Sequence, residues 1–397
     1  MNNNIKKLLD LFHLRETVYK LSNKRIAERN KVSLDEVYQA KKLFKEEKHK
    51  ALLEHCKETG VDFNDVKFYW HKSKKFSMNV IPDREKNLTD ELLESFDNII
   101  ENYQTKGIKT FTPIVTTQEK ALKVTISDDH VGLEPNPKLN GGLFMYEYNG
   151  EIYKESIQKV YSSIIKEYNT HGTFELLLLD NLGDQEDGWD QLTTRGGHKL
   201  PQNMSNGEVF EVCVDSKVSL IESLVESKVA NKIILRTVTN SNHSNEFALI
   251  VNKAIEKIIN RLYSTKIVEV ETLTKFIEHR TWGDHTWLLC HGKDSQHMFK
   301  GLPLILNDKT VNYVNEYIDF YNVNSKYIHF EKGDLHQLGY QKVKRFDYRN
   351  FMSFAPPSAW QQHNFGDSYA GYSIQVIPKY SNEISHTDYF LDYSKKR

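Results

Sequence analysis

The hydrophobic and polar positions follow two different periods along the chain. Residues 1–50 contain no glycine or proline and repeat their apolar positions at helical spacing. From about residue 120, short apolar runs alternate with longer amphipathic stretches, which is typical of a layered α/β domain. Buried strands are predicted at 122–127, 174–180, 232–238, 286–292 and 326–332. Long helices are predicted between them, at 153–168, 216–229 and 246–263.

Residues 1–50 form a first predicted domain, a basic helical head. A short helix capped by Ser22 and a tight turn at 30–32 are expected, and Ser33 and Glu36 have the capping-box spacing that begins a second helix. The second helix carries Lys41, Lys42 and Lys45. Two short helices joined in this way resemble a helix-turn-helix that contacts DNA. A small helical bundle without that role is the alternative.

Residues 51–118 are predicted to connect the head to the main domain, with β structure at 67–82 and an amphipathic helix at 87–104. The main domain is assigned to residues 119–397. Its aromatic-rich end, 354–380, is predicted to form a closing β-hairpin, and a platform for stacking bases is the alternative. The side chains expected to pack on the sheet are Tyr369, Tyr372, Ile374 and Val376.

Composition and charge narrow the class of protein. With 39% hydrophobic and 27% charged residues, no apolar run long enough for a bilayer and no signal-peptide pattern, a globular protein of the cytoplasm is expected. The three cysteines lie far apart, which indicates neither a disulfide framework nor a zinc knuckle. Residues 1–50 carry 13 basic and 7 acidic side chains, a charge of +6, whereas the remainder carries 40 and 47, a charge of −7. The head is therefore the part expected to meet a polyanion.

Polar side chains follow each predicted strand at its carboxyl end, where open α/β sheets place their sites. In chain order they are Asp128, Asp129 and His130, then Asp184 and Asp187 after Gly183, then Asn242 and His243, then His291, and finally Asp334 and His336. Charged groups at the exit of a buried strand are costly unless something compensates them. Oxygen and imidazole ligands without thiolates suit manganese, iron(II) or zinc. Roughly seven such side chains exceed the three that a catalytic zinc takes and suit two ions.

In order, the motifs are D-x-H, GD-x-x-D, N-H, H-G and a terminal x-H. This order resembles that of the calcineurin-like metallophosphoesterases, over about residues 120–375. The resemblance implies a four-layer α-β-β-α sandwich, so the expected fold class is α/β, with a small N-terminal helical, helix-turn-helix-like domain. The stretch DNLGDQEDGWDQLTTRGG and the helical head most resemble phage and prophage members described as DNA-repair exonuclease-like. This branch implies a phage or prophage protein in the host cytoplasm.

The resemblance also implies a role for each matched residue. Asp128, His130 and His336 would bind a first metal ion, Asp184 would bridge both ions, and Asn242, His291 and Asp334 would bind the second. His243 would protonate the leaving oxygen or stabilise the phosphate charge, Asp187 would orient the site, and a metal-bridging hydroxide would be the nucleophile. Arg195, flanked by glycine, could reach a substrate phosphate, and an ordinary loop arginine is the alternative.

Two motifs depart from the family pattern. Ser241 and Ser244 replace the glycine and the carboxylate of G-N-H-[DE]. Serine is tolerable at the first position if its φ is negative. Glu246 or Asp180 could replace the missing carboxylate, which commonly positions the catalytic histidine. Asp334 replaces the first histidine of G-H-x-H, and an oxygen ligand there favours a harder ion such as manganese.

The favoured function is a phosphodiesterase that depends on two divalent metal ions and acts as a nuclease on DNA, with the head as docking module. Manganese is the expected metal, with iron, zinc or magnesium as alternatives. A phosphoesterase for a small substrate or a phosphoprotein is the second hypothesis, since the body is acidic. A DNA-binding protein with weakened catalysis is the third, suggested by Ser241, Ser244 and Asp334. DNA is the expected partner, no membrane is expected, and a homodimer is left open.

Overall fold

The structure is a computed structural model that describes residues 2–14, 23–59, 66–69, 80–82, 99, 103, 112–114, 119–138, 141–296 and 301–394. The chain divides into two compact units, Met1–Asp90 and Glu91–Arg397. Among the described helices, none combines the length and the apolar character that crossing a bilayer demands.

The described part of the first unit contains three helices, α1 (Asn3–Leu14), α2 (Asn23–Asn30) and α3 (Leu34–Thr59). Their apolar faces meet in one buried cluster that includes Phe12, Ile26 and Phe44. Two short strands, β1 (Val66–Tyr69) and β2 (Val80–Pro82), pair antiparallel. The predicted domain boundary at residue 50 falls inside α3, which continues to Thr59.

The turn between α2 and α3 spans residues 31–33. Lys31 has a left-handed φ of 54°, and the amide of Val32 donates to the carbonyl of Ala27 at 3.2 Å, which closes α2 as a Schellman motif. The amide of Ser33 donates to Glu36 Oε2 at 2.9 Å, and the amide of Glu36 donates to Ser33 Oγ at 3.2 Å. The predicted turn and capping box are confirmed, and Ser22 lies outside the described residues.

The second unit alternates strands and helices. In chain order they are β3 (Lys120–Ile126), α4 (Gly150–His171), β4 (Phe174–Asn181), α5 (Asn206–Glu226), β5 (Ala230–Val238), α6 (Glu246–Leu262), β6 (Val268–Leu273), β7 (Glu278–Trp282), β8 (His285–Cys290), α7 (Asp308–Phe320), β9 (Tyr327–Lys332), β10 (Gly339–Lys342), β11 (Asp347–Asn350), α8 (Ala359–Phe365), β12 (Ala370–Pro378) and β13 (Ser385–Leu391).

The strands form two sheets. The six-stranded sheet has the order β13-β12-β3-β4-β5-β6, in which β3 to β6 run parallel and β12 pairs antiparallel with both β3 and β13. The five-stranded sheet has the order β10-β11-β9-β8-β7, in which β8, β9 and β11 run parallel. The five strands predicted to end in polar residues are thus shared between the two sheets, three in the first and two in the second.

The second unit has four layers, two sheets with helices on the outer face of each, and three apolar clusters lie between them. Helices α4, α5 and α6 cover the outer face of the six-stranded sheet, with Tyr153, Phe210 and Ile255 in the cluster. Helix α7 covers the outer face of the five-stranded sheet through Val314 and Ile318. The inner faces of the two sheets meet in a third cluster. This arrangement is the α-β-β-α sandwich, and the predicted fold class is confirmed.

A group of charged side chains is buried between the two sheets. Arg236 on β5 donates through Nε and Nη2 to the two carboxylate oxygens of Asp180 on β4, each at 2.6 Å. Lys123 on β3 lies 3.1 Å from Asp180 Oδ2 and 2.5 Å from Glu331 Oε2 on β9. All four side chains are at most 2% exposed. Each of the four charged groups has an oppositely charged partner at hydrogen-bond distance. This pairing offsets the free-energy cost of removing the charges from water, which is not recovered when a buried charge is unpaired.

The hairpin predicted for 354–380 was placed too early. Strand β12 lies in that range, with Tyr372, Ile374 and Val376 buried, but residues 359–365 form helix α8, and the strand that pairs with β12 is β13, beyond residue 380. Tyr369 was expected on the sheet but is 75% exposed, because it precedes the first residue of β12. Helix α5 begins ten residues before its predicted start at 216, where Ser205 forms a capping box with Glu208. The predicted helix at 87–104 lies almost wholly outside the described residues.

Candidate metal centre

The loops that leave β3 and β4 continue the parallel pairing of those strands. The amides of Asp128 and His130 donate to the carbonyls of Gly183 and Asp184, at 3.0 and 2.9 Å. Further along, the amide of Val131 donates to Gln185 at 2.9 Å, and that of Asp187 donates back to Val131 at 3.1 Å. The two acidic loops are therefore locked to each other by backbone hydrogen bonds, which fixes where their side chains point.

Several of the predicted ligands have left-handed backbone conformations. The φ angles are 55° at Asp128, 43° at His130, 48° at Asp184, 70° at Asp334 and 54° at His336. Such conformations are uncommon outside glycine, and they concentrate where the surrounding structure holds functional groups in place. A glycine is required beside them, because a Cβ added to Gly183 (φ 102°) would lie 2.9 Å from His291 Nδ1.

A first group of ligand atoms comes from Asp128, His130 and His336. The two Nε2 atoms of His130 and His336 lie 3.3 Å apart, and Asp128 Oδ1 lies 3.2 Å from His336 Nε2 and 3.9 Å from His130 Nε2. His130 Nδ1 lies 2.8 Å from Asp187 Oδ1, and donation to that carboxylate leaves the lone pair of His130 on Nε2. The group therefore presents a carboxylate oxygen and imidazole nitrogens to one point.

A second group comes from Asp184, His291 and Asn242. His291 Nε2 lies 3.0 Å from both Asp184 Oδ2 and Asn242 Oδ1. Its other nitrogen, Nδ1, lies 2.9 Å from the carbonyl oxygen of Leu182, to which it donates. Since Nδ1 donates to this carbonyl, Nε2 of His291 faces two oxygen acceptors. Either a proton on Nε2 or a cation among these three atoms satisfies both oxygens.

The donor sets fit divalent metal ions. Asp128 Oδ1 is buried and accepts no hydrogen bond from the described residues. Asp128 and Asp184 also group with His291, so the two sets are contiguous. Nearby histidines outweigh burial and hold the pKa of both carboxyl groups below their ordinary value, so both are anionic. Burial opposes charge on His291, yet the Asp184 carboxylate raises the pKa of this histidine to about 9.

His243 stands at the more open edge of the centre. Its side chain is 19% exposed, and it groups with His130 and Asp184. Its Nδ1 lies 3.4 Å from the same Asp187 Oδ1 that contacts His130, and the two imidazole rings meet edge to face at 4.6 Å. Burial opposes protonation, but Asp184 and Asp187 raise the pKa of His243 to about 9.

Asp187 thus contacts His243 where the family motif would use the carboxylate that Ser244 replaces. The two substitutes expected from the sequence do not serve. Glu246 is exposed in the first turn of α6, and Asp180 is bound to Arg236 and Lys123 between the sheets. Ser241 has no positive φ, so the condition for replacing glycine there is met.

The loop at 193–195 holds the backbone of the third motif. The amide and hydroxyl of Thr194 donate to the carbonyl of His243 at 2.9 and 2.8 Å, and the amide of Arg195 donates to the carbonyl of Asn242 at 2.9 Å. The Arg195 guanidinium pairs with Asp294, with Nη1 and Oδ1 3.1 Å apart. The expected contact of Arg195 with a substrate phosphate stays a prediction. Thr194 was missed, because a hydroxyl in a glycine-rich loop carries no distinctive spacing.

Asp129, the residue between the two ligands of the first motif, points away from the centre into the core. Its carboxylate accepts from Tyr153 Oη at 2.9 Å, Asn181 Nδ2 at 3.0 Å and Lys217 Nζ at 3.3 Å. Tyr148 Oη donates to its carbonyl oxygen. Burial raises the pKa of Asp129 even so. This residue anchors the loop that carries Asp128 and His130.

Asp334 belongs to none of the three ligand groups found among the described residues. Its amide donates to Asp128 Oδ2 at 3.2 Å, so its backbone positions the first carboxylate. The buried ammonium of Lys332 lies near the turn, where it donates to the carbonyl of Gly333 at 2.9 Å. Burial lowers the pKa of Lys332. The assignment of Asp334 as a ligand of a second ion stays a prediction.

Gln361 is a further residue that sequence patterns did not reveal. It is the third residue of α8, and its Oε1 accepts from the amide of Ser358 at 2.6 Å, which completes a capping box. Its Nε2 lies 2.5 Å from His336 Nδ1. The contact joins residues 25 positions apart, and a single sequence carries no signal for it.

No family model matches the chain, and no curated protein matches it. Solved structures that resemble it include Vps29 of Entamoeba histolytica in complex with zinc, which is 9% identical, covers 68% of this chain and 98% of that one, and has a TM-score of 0.28. An archaeal phosphodiesterase is 8% identical, with coverage of 68% and 99% and a TM-score of 0.30. The phosphoesterase YfcE from E. coli is 15% identical, with coverage of 67% and 98% and a TM-score of 0.26.

Proposed function

We propose that the second unit is a metal-dependent phosphoester hydrolase that takes phosphodiesters. The observation that carries the proposal is the pair of contiguous donor sets, joined through Asp128 and Asp184, with the more exposed His243 at their edge. Such sets would hold two divalent ions, which would neutralise phosphate charge and supply an activated water. Imidazole and oxygen ligands without thiolates suit manganese, with iron, zinc or magnesium as alternatives.

The protein side chains have separate tasks in this proposal. Asp128, His130 and His336 would hold one ion, and Asp184, Asn242 and His291 the other. His243 is the more exposed side chain at the edge of the two sets, and its imidazolium would donate a proton to the leaving oxygen or a hydrogen bond to the phosphate. Asp187 and Thr194 would hold His243 in place, by a carboxylate contact and by backbone hydrogen bonds.

The substrate proposed is DNA, and the nuclease role rests on charge. Residues 1–50 carry a charge of +6, which suits a polyanion, whereas the remaining residues carry −7. The acidic remainder favours a second candidate, a phosphoesterase for a small substrate such as a nucleotide. The resemblance to phage and prophage exonuclease-like proteins supports the first candidate.

The test is manganese-dependent hydrolysis of bis-p-nitrophenyl phosphate by the wild type and by Asp184→Asn. The variant is expected to lose at least about 100-fold in kcat/KM, since even residues behind the ligands typically contribute 10- to 100-fold. Asp284→Asn makes the same chemical change in the β7–β8 turn and should leave turnover unaltered. Equal turnover in all three proteins would contradict the proposal. Linear duplex DNA and mononucleotides, compared as substrates of the wild type, separate the two candidates.

A further inference from the structure

Helix α3 has a buried face and an exposed face with different compositions. Val37, Ala40 and Phe44 are at most 1% exposed and pack against α1 and α2. On the other side lies a surface that we call the α3 face, made of Leu34, Tyr38, Gln39, Lys42 and Lys45, all exposed. Leu34 is 55% and Tyr38 65% exposed, although both are residues that usually find apolar contacts.

The charge around the α3 face is positive. From residue 23 to residue 45 there are seven basic and three acidic side chains, a charge of +4. One of the acids, Glu36, is already engaged by the capping box and by the side-chain amides of Asn2 and Asn4, at 2.7 and 3.1 Å. The face therefore offers basic and amide donors around an aromatic ring.

The backbone presents the amino-terminal half of α3 rigidly. The Schellman turn at Lys31 and the capping box at Ser33 fix the angle between α2 and α3, and Glu36 ties the start of α1 to the first turn of α3. A short helix, a three-residue turn and a second helix with an exposed amino-terminal half form the arrangement that inserts a recognition helix into a major groove.

We propose that the α3 face binds duplex DNA and reads base edges in the major groove. Gln39 has the amide geometry that pairs with adenine, and the Tyr38 ring offers apolar contact to a thymine methyl group. Lys42 and Lys45 supply phosphate or guanine contacts. The lysine content disfavours a protein partner, because lysine is depleted from the cores of protein interfaces. The proposal concerns a second site and does not depend on the phosphoesterase function, since its binding is measured without divalent metal.

The experiment uses the full chain in buffer with EDTA, so that no hydrolysis accompanies binding. Bound sequences are selected from a pool of random duplexes, and the affinity for the best duplex is measured by fluorescence anisotropy over a range of salt concentrations. Two double variants are compared: Lys42→Ala/Lys45→Ala on the α3 face and Lys6→Ala/Lys7→Ala on the exposed side of α1, which removes the same charge. A third, Tyr38→Ala/Gln39→Ala, changes the proposed base contacts.

The α3 lysine variant should weaken binding at least tenfold and reduce the slope of log affinity against log salt by about 1.8, as expected for two phosphate contacts. The α1 variant should change affinity less than twofold. The Tyr38/Gln39 variant should lose at least about tenfold for the selected duplex while binding random duplex nearly as before. All replaced side chains are exposed, so the melting temperature should not change.

Three outcomes would overturn the proposal. They are equal effects of the α1 and α3 lysine variants, recovery of no preferred sequence from the pool, and tighter binding of single strands or RNA than of duplex DNA. Each leaves the result of the Asp184→Asn assay untouched, so failure of this proposal is distinguishable from failure of the proposed hydrolase.

Discussion

Replacing Asp180 with alanine tests how strongly the buried charges between the sheets depend on each other. The replacement removes the carboxylate that receives two hydrogen bonds of 2.6 Å from Arg236 and leaves a guanidinium that is 1% exposed without its anion. Lys123 keeps Glu331 at 2.5 Å, so the loss falls mainly on Arg236. Breaking a buried pair by removing one partner typically costs about 3–5 kcal/mol.

For a cooperative unit of about 300 residues, the entropy of unfolding at the melting temperature is about 0.6 kcal/mol/K. The expected fall in melting temperature is therefore about 5–8 °C. Tryptophan fluorescence is a suitable probe, because the buried Trp287 ring lies 5.8 Å from the Arg236 guanidinium carbon. Urea titration of the same variant gives the change in the free energy of unfolding directly.

The matched control replaces both partners, as Asp180→Leu/Arg236→Met. Because no unpaired charge is left, this double variant should be close to the wild type in stability or exceed it. A loss below about 1 kcal/mol for Asp180→Ala, or a double variant less stable than the single one, would refute the account of the network as mutually dependent ions.

Three further predictions concern other parts of the chain. Gln361→Ala should tighten manganese binding in calorimetry, because the Gln361 amide donates to His336 Nδ1 and so keeps the proton of a neutral His336 on Nε2, the nitrogen that would bind the ion; Ser358→Ala removes the same capping box but should leave manganese binding unchanged. Lys31→Gly should stabilise the first unit by about 1 kcal/mol in urea unfolding, since glycine adopts the left-handed φ of 54° without strain; an unchanged midpoint would contradict this. Burial opposes ionisation of Asp347, but the hydrogen bond to His329, together with the nearby basic side chains, outweighs it and lowers the pKa of this carboxyl. The stability that Asp347 contributes is therefore complete above the ordinary carboxyl pKa of about 4 and is lost as the pH falls below it. Melting temperatures measured from neutral to acidic pH should consequently fall less steeply below about pH 4 for Asp347→Asn than for the wild type.

Features determined locally could be predicted from the sequence. The strands ending before Asp128, Asp184 and Asn242 follow from apolar runs that stop at polar residues, and each ends within about a residue of its predicted position. The capping box of Ser33 and Glu36 was predictable because it depends on spacing alone. Both signals lie within a few residues of the feature that they determine.

Contacts between distant segments could not be predicted in this way. Gln361 reaches His336, and Thr194 reaches the carbonyl of His243, 49 positions away, because of how the loops pack in three dimensions. The ends of helices were also less predictable: α3 runs past residue 50 because nothing in its sequence stops it until Thr59. Tyr369 was assigned to the sheet together with Tyr372, yet β12 begins one residue later.

The left-handed backbone at the centre limits which amino acids evolution can sample there. Two requirements apply at once to Asp128, His130, Asp184 and His336. Each side chain belongs to a ligand group, and each backbone has a positive φ. Aspartate, asparagine and histidine meet both requirements, because they can bind a metal ion and are enriched at positive φ. Glutamate is an equally good oxygen ligand but is not enriched at positive φ. A library of variants at these positions should therefore retain three residue types, aspartate, asparagine and histidine. Glutamate should be lost because of its backbone preference, whatever the length of its side chain.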